Sequence, residues 1–238
     1  MDFQYMDMLA LLGVGGAHPG GLHLTKQLLE EEKITNATNI LDIGCGTGQT
    51  AAYITWDYNC SVTACDLNET MVEKANQRFE RMDFPFRAKI ENVEQLSFAD
   101  KTFDFVLLES VAAFTDVSLS LTECCRVLKK NGVLLAVEMV KDPKLSQEDE
   151  EVIKRFYNFR SVMTESQWME QLTKAGFSHI TIVNGLDMGG EEHNLDFGIE
   201  FDLSPNINPS VFELLDEHER LTEQFRDLLG FRVFRCIR

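Results

Sequence analysis

Positive charge is scarce in this chain. Its 238 residues carry 22 lysines and arginines against 39 aspartates and glutamates, a formal net charge of −17. A field of that sign repels phosphate backbones, so no nucleic acid is expected as a partner, and neutral, cationic or locally steered ligands fit better. Long apolar runs are also missing. No stretch approaches the roughly 18 residues of a membrane span. Met1–Leu12 lacks a basic first region, and Asp2 and Asp7 interrupt it, so no secretory leader is read there. The six cysteines, at 45, 60, 65, 124, 125 and 236, include no CxxC and do not form a secreted disulfide pattern. Reduced thiols and a cytoplasmic location are expected. Metal ligands are sparse as well: His18 and His23 are five apart, while His179, His193 and His218 are scattered, so no metal site is expected. Internal repeats and low-complexity tracts are absent.

What is present is a strand–helix alternation beginning at Asn39. Apolar runs at Asn39–Ile43, Ser61–Cys65, Arg87–Glu91, Phe103–Leu108 and Val133–Val140 read as strands. The near-continuous ones suit a sheet covered on both faces. Helical patterns lie between them: Gly48 to about Tyr58, Asn68 through Phe79, and Val117 to Lys129, the last stopped by Asn131-Gly132. Such alternation implies right-handed crossovers and a mainly parallel α/β sheet. Its ligands bind beyond the carboxyl ends of the strands. Before the alternation come an apolar helix-like start, a glycine-rich stretch from Gly13 to Gly21, and a helix from about Leu22 to Glu32. After it, Glu148-Asp149-Glu150-Glu151 reads as a solvated helix start. Ser166–Ala175 reads as an amphipathic helix and His179–Val183 as a strand. Asn184–Ile207 reads as acidic and irregular. A helix follows with Val211, Leu214, Leu215, His218, Leu221, Phe225 and Leu228 on one face, and Phe231–Ile237 is a closing strand.

Two features carry chemistry. The first is the turn Asp42-Ile43-Gly44-Cys45-Gly46-Thr47-Gly48, which follows a strand and opens a helix. Its glycines permit close backbone approach, and helix N–H groups there favour electronegative atoms; a purely structural turn is the competing reading. In a dinucleotide fingerprint the third glycine would fall where Gln49 stands, which argues against a pyrophosphate and for a simpler nucleoside. The second is Asp66, at the end of the next strand. Its carboxylate could accept bonds from both ribose hydroxyls, or it could cap the following helix.

Taken in order, Leu41–Gly48, Val62–Asp66, Glu94–Phe98, Phe103–Glu109 and Arg126–Gly132 resemble the successive motifs of class I S-adenosylmethionine-dependent methyltransferases, closest to the small-molecule group of ubiquinone and menaquinone biosynthesis. The resemblance spans roughly residues 36–183. It implies a Rossmann-like, seven-stranded, mostly parallel sheet of order 3-2-1-4-5-7-6, with helices on both faces. It also implies an N-terminal helical lid over 1–38, a cofactor-binding core over 39–183, and a stretch over 184–238 that completes the core. S-adenosyl-L-methionine would be the cofactor and S-adenosyl-L-homocysteine its product. Asp42, Gly44, Cys45, Gly46 and Gly48 would shape the methionine pocket. Asp66 would bind the ribose, Leu67 would pack on the adenine, and Asn92 and Val93 would lie at the adenine edge. Glu109 and Ser110 would border cofactor and acceptor. The family often has Asp where Asn92 stands, and Lys130-Asn131-Gly132 replaces its usual Pro-Gly-Gly. The segment from Asn184 to Gly230 is much longer than the family's usual hairpin, which suggests a lid or dimer role.

The implied activity is methyl transfer to a small-molecule acceptor by in-line attack, in which proximity and orientation do much of the catalysis. A base is needed only if the acceptor loses a proton. His18, in the glycine-rich stretch, and Glu109 are the candidates for the acceptor side; a surface turn histidine is the competing reading of His18. His23 reads as structural. Tyr5, Phe114, Tyr157 and Trp168 are candidates for a pocket wall or for core. The chain is expected as a monomer or homodimer. The alternatives are a noncatalytic nucleoside-binding protein of the same fold, a nicotinamide-dependent oxidoreductase, and a nucleic-acid methyltransferase. The last lacks its Asn-Pro-Pro-aromatic signature, since Glu109-Ser110-Val111-Ala112 stands there.

Overall fold

The computed structural model describes residues 3–183 and 200–238. In chain order the elements are α1 (Tyr5–Leu12), β1 (Val14–Gly15), α2 (Gly21–Glu30), β2 (Asn39–Ile43), α3 (Gln49–Tyr58), β3 (Ser61–Asp66), α4 (Glu69–Arg81), β4 (Lys89–Ile90) and β5 (Phe103–Glu109). A 3-10 turn at Ala112–Phe114 precedes α5 (Val117–Val127), β6 (Leu128–Lys141), α6 (Gln147–Tyr157), α7 (Glu165–Lys174), β7 (Ser178–Ile182), β8 (Glu200–Phe201), α8 (Ser210–Phe225) and β9 (Leu229–Ile237).

Seven strands form one sheet in the order β4-β3-β2-β5-β6-β9-β7. Numbered along the chain within that sheet alone, this is 3-2-1-4-5-7-6, as the resemblance implies. The strands from β4 to β6 run parallel, and β9 is antiparallel to both β6 and β7. The continuous apolar runs follow from burial on both faces. Ile40, Phe105, Leu107 and Leu135 pack with Leu28 of α2, Ile54 of α3 and Phe79 of α4. Their neighbours Leu41, Val106, Leu108 and Leu134 pack with Leu121 of α5 and Trp168 of α7. Side chains alternate across a strand, so each run serves two helical layers at once. Each fully buried Leu or Phe stabilises by about 1.5–3 kcal/mol before entropy is counted.

A third apolar cluster lies outside the sheet. Tyr5, Met8 and Leu12 of α1 meet Ile153 and Tyr157 of α6 and Val211, Leu221 and Phe225 of α8. The two ends of the chain therefore share one core. His218 sits on the same face of α8, with Nδ1 2.9 Å from the Tyr157 hydroxyl.

Several boundaries differ from the sequence reading. The helix expected to reach Lys129 stops at Val127, because Leu128 already pairs with Phe103; the strand expected from Val133 thus begins five residues earlier. The Arg87–Glu91 strand shrinks to Lys89–Ile90. The acidic run does open a helix, α6, with the Ser146 hydroxyl accepting from Asp149 N–H at 3.1 Å. Trp168 and Tyr157 are core, and Trp168 Nε1–H donates to the Met139 carbonyl at 2.9 Å. The ribbon β1–β8 was not anticipated. The first part of the acidic segment, 184–199, lies outside the described residues, as do His193 and Asp2. Among the described residues no helix is long and apolar enough to cross a membrane.

If the terminal helices share one core with the rest, Phe225→Ala should cost about 3–5 kcal/mol. Chemical denaturation measures it; an unchanged midpoint would show α8 to be packed loosely.

Candidate functional site

The carboxyl ends of β2, β3 and β5 bring three acids to one place. Asp42 is the penultimate residue of β2, Asp66 ends β3 and Glu109 ends β5. Between the first two lies the glycine turn. Gly44 and Cys45 N–H both donate to the Cys65 carbonyl, at 2.8 and 3.0 Å. Gly46 N–H donates to Asp66 Oδ2 at 2.9 Å, and Asn68 N–H donates to Oδ1 at 2.9 Å. Asp66 is therefore held against the turn by backbone donors. The cap of α4 is a different residue, Asn68, whose amide oxygen accepts from Met71 N–H at 3.2 Å.

The three glycines do different work. All have positive φ: 72° at Gly44, 52° at Gly46 and 77° at Gly48. A Cβ on Gly44 would lie 2.3 Å from Val111 Cγ2, and one on Gly48 would lie 2.7 Å from Phe79 Cζ. Those two are accounted for by packing. Among the described residues a Cβ on Gly46 would meet the Val14 carbonyl oxygen alone, at 3.9 Å, so this is the least crowded of the three glycines. Gly48 starts α3 without a side-chain cap, which leaves the positive end of that helix directed at the acids.

Burial pushes the Asp42 carboxyl well above its ordinary range. The charges of Glu109 and Asp66 add to the push, and the Ala51 N–H of α3 opposes it. Among the described residues the buried Asp42 Oδ2 has no hydrogen-bond partner. Asp66 is also raised by burial, against the backbone N–H groups of Asn68, Gly46 and Leu67. Beside it Leu67 is 66% exposed, an apolar surface open to a ligand.

Glu109 gathers three side chains around its carboxylate. Thr25 Oγ1 donates to its Oε1 at 2.6 Å, and Thr50 Oγ1 to its Oε2 at 3.4 Å. His18 Nε2 lies 3.4 Å from Oε2, and the two side chains are only 5% and 9% exposed. His18 is thus not a surface turn histidine. The glycine-rich stretch turns inward there, with Gly21 N–H donating to the His18 carbonyl at 2.9 Å. Ser110, next along, is a non-glycine residue at φ 57°, and its N–H is tied to the Val137 carbonyl at 2.7 Å. Strain of this kind persists where surrounding structure over-determines it.

Other expected residues sit differently. Val93 and Cys45 are buried and pack in the two core clusters that line the sheet. Burial also raises the Cys45 thiol well above its usual value. Asn92 is exposed, but its amide oxygen already accepts from Glu94 N–H at 2.9 Å. Phe114 stands edge-on to Phe159, with centroids 4.8 Å apart, at the rim of the terminal core. All six cysteines are free and buried. No group of three or more metal-ligating side chains is assembled among the described residues.

Sequence reasoning missed Thr25, Thr50 and Glu138. The threonines carry no signal of their own. Glu138 did carry one, as a lone carboxylate inside the apolar run of β6. Its Oε1 accepts from Val111 and Ala112 N–H at 3.3 and 3.0 Å, which fixes the loop leaving Glu109. Burial pushes Glu138 up to about 8, against those backbone donors. The folded protein then holds a proton that the unfolded chain releases above the usual carboxylate range. Stability from this group is present at low pH and is lost as pH rises through about 8. Glu138→Gln should flatten that decline, measured by denaturation at a series of pH values; an unchanged slope would mean Glu138 ionises normally.

Comparison with known proteins gives the family. A profile of the methyltransferase domain matches residues 41–136. The chain is 35% identical over 231 residues to the uncharacterized methyltransferase YodH of Bacillus subtilis, covering 97% of each. It is 30% identical over 157 residues to the ubiquinone/menaquinone biosynthesis C-methyltransferase UbiE of Rickettsia massiliae, covering 59% of this chain and 58% of that one. A solved structure of Haemonchus contortus phosphoethanolamine N-methyltransferase 2 in complex with S-adenosyl-L-methionine superposes with a TM-score of 0.73. Identity there is 17%, over 98% of this chain and 57% of that one, a likeness of fold. The chain belongs to the class I S-adenosylmethionine-dependent methyltransferases.

Proposed function

We propose that the turn at Gly44–Gly48, with Asp42, Asp66 and Leu67, binds S-adenosyl-L-methionine, and that the protein methylates a small-molecule acceptor beside Glu109. The observation that carries this reading is the convergence of three carboxylates on one glycine turn. Burial raises Asp42, the charges of Glu109 and Asp66 add to the push, and its Oδ2 has no partner among the described residues. A ligand bearing positive charge relieves such a cluster, and S-adenosylmethionine carries a sulfonium and an ammonium. The residues fit the rest of it as well. A carboxylate has about four acceptor positions, so Asp66 retains room for a ribose hydroxyl. Leu67 offers an apolar face to an adenine, and Gly46 keeps the backbone open. When bound, the cofactor supplies an electrophilic methyl group. The names of the Rickettsia and Haemonchus relatives support small acceptors.

The chain's own residues then orient the acceptor and manage its proton. His18 Nδ1 lies 3.2 Å from the Pro19 carbonyl. With the proton on Nδ1 donated there, Nε2 is left as the accepting atom. An imidazolium formed by taking the acceptor's proton is stabilised by Glu109, which Thr25 and Thr50 hold in place. Glu109 would thus orient and stabilise, and His18 would act as base. The neutral or cationic character expected of the acceptor follows from the same acids.

Two measurements test this. Asp66→Ala should weaken S-adenosylhomocysteine binding by about tenfold to hundredfold in isothermal titration, the worth of hydrogen bonds to a charged group; equal affinity would refute the ribose assignment. His18→Ala should lower turnover of hydroxyl-bearing acceptors by about a hundredfold or more while cofactor affinity holds. Release of S-adenosylhomocysteine across a panel of phenols and amines reads it, and undiminished turnover would remove His18 from the chemistry.

A further inference from the structure

The cofactor turn is covered from above by a ribbon that joins the two ends of the chain. β1 pairs with β8 through only two residues each, Val14 with Phe201 and Gly15 with Glu200. Backbone bonds extend the grip: Asp202 N–H donates to the Gly13 carbonyl at 3.0 Å, and Ser204 N–H to the Leu11 carbonyl at 2.8 Å. The inner strand rests on the turn. A Cβ on Gly15 would lie 2.9 Å from Thr47 Oγ1, and one on Gly16 would lie 2.9 Å from Gln49 Oε1. Gly16, at φ 67°, holds a left-handed conformation that favours glycine, and a side chain at Gly15 would displace the Thr47 hydroxyl.

A ribbon of two residue pairs is weak by itself. The basic face of α4 holds it. Lys74, Arg78 and Arg81 recur at i, i+4 and i+7, on one side of the helix. Lys74 Nζ donates to the Asp202 carbonyl, and Arg81 Nη2 lies 3.9 Å from Asp202 Oδ2. Arg78 does more than either. Its Nη2 pairs with the Glu200 carboxylate on the ribbon, while its Nε donates to the Thr47 carbonyl at 2.8 Å. One guanidinium thus touches the turn and the strand that covers it, and its side chain is only 17% exposed.

We propose that Arg78 is a positioning residue that locks the Gly46–Gln49 turn to the β1–β8 ribbon, so that exchange of the bound nucleoside requires its pair with Glu200 to break. This rests on the nucleoside site proposed above. Arg78 suits the role where lysine would not, because a planar fork with several donors serves both partners at once. The pair reaches the surface at Glu200, so salt weakens it.

Hydrogen exchange on the ligand-free full chain reads the lock without any cofactor. In Glu200→Gln the Asp202 and Ser204 amides should exchange about twofold to fivefold faster, the range of a partly exposed ion pair. Arg78→Ala should exceed that, and Arg78→Lys should fall between. The S-adenosylhomocysteine dissociation rate, by stopped flow, should rise in the same order. Raising salt should speed dissociation from the wild type more than from Arg78→Ala. Amide exchange unchanged from wild type in both Glu200→Gln and Arg78→Ala would overturn the lock, as would faster exchange with an unchanged dissociation rate. Failure of the wild type to bind S-adenosylhomocysteine would instead count against the nucleoside site, and exchange would still decide whether Arg78 holds the ribbon.

Discussion

The turn after β2 is bonded to the end of β3 three times: Gly44 and Cys45 N–H donate to the Cys65 carbonyl, and Gly46 N–H donates to the Asp66 carboxylate. Together these bonds fix how far the glycine turn stands from β3. They form because the sheet is parallel and in register here, with Ile43 opposite Cys65. Both strands therefore release their chains at the same level. The sheet and its two apolar layers supply the rigidity, and the site uses it.

Three acids at the carboxyl end of the sheet are costly in electrostatic terms, and the surroundings show how the cost is met. The N-terminal turn of α3 faces Asp42, backbone donors hold Asp66, and two threonine hydroxyls with His18 surround Glu109. These neutral donors and one titratable ring compensate only in part, and Asp42 stays raised. A second buried acid, Glu138, stabilises the loop on the far side of Glu109 through the N–H groups it accepts.

Much of this was legible in the residues. Runs such as Phe103–Leu108 have no polar alternation because both faces are buried, and their ends mark where the chain turns toward a ligand. Hence the strands, the glycine turn and Asp66 could be read from the residues themselves, whereas the sheet order and the place of Glu109 came with the family resemblance. The contacts between distant segments could not. His18 and Glu109 were separate candidates, and nothing in either neighbourhood signalled that they would meet. The ribbon uses two residues per strand, too few for any periodicity. Arg78 looks like any helix cation until Glu200 and Thr47 are seen beside it. Leu128 was misread because an apolar residue at helical spacing also fits a strand, and pairing with Phe103 decided the matter. The burial of Val93 and Cys45 was equally hidden, because a motif fixes where the backbone passes but not which way a side chain points.

The most direct test is a crystal structure with S-adenosylhomocysteine. The account predicts the ribose on the Asp66 carboxylate, the adenine against Leu67, and the sulfur facing the space between Glu109 and His18. A nucleoside bound away from the Gly44–Gly48 turn, or one whose sulfur points away from Glu109, would contradict it.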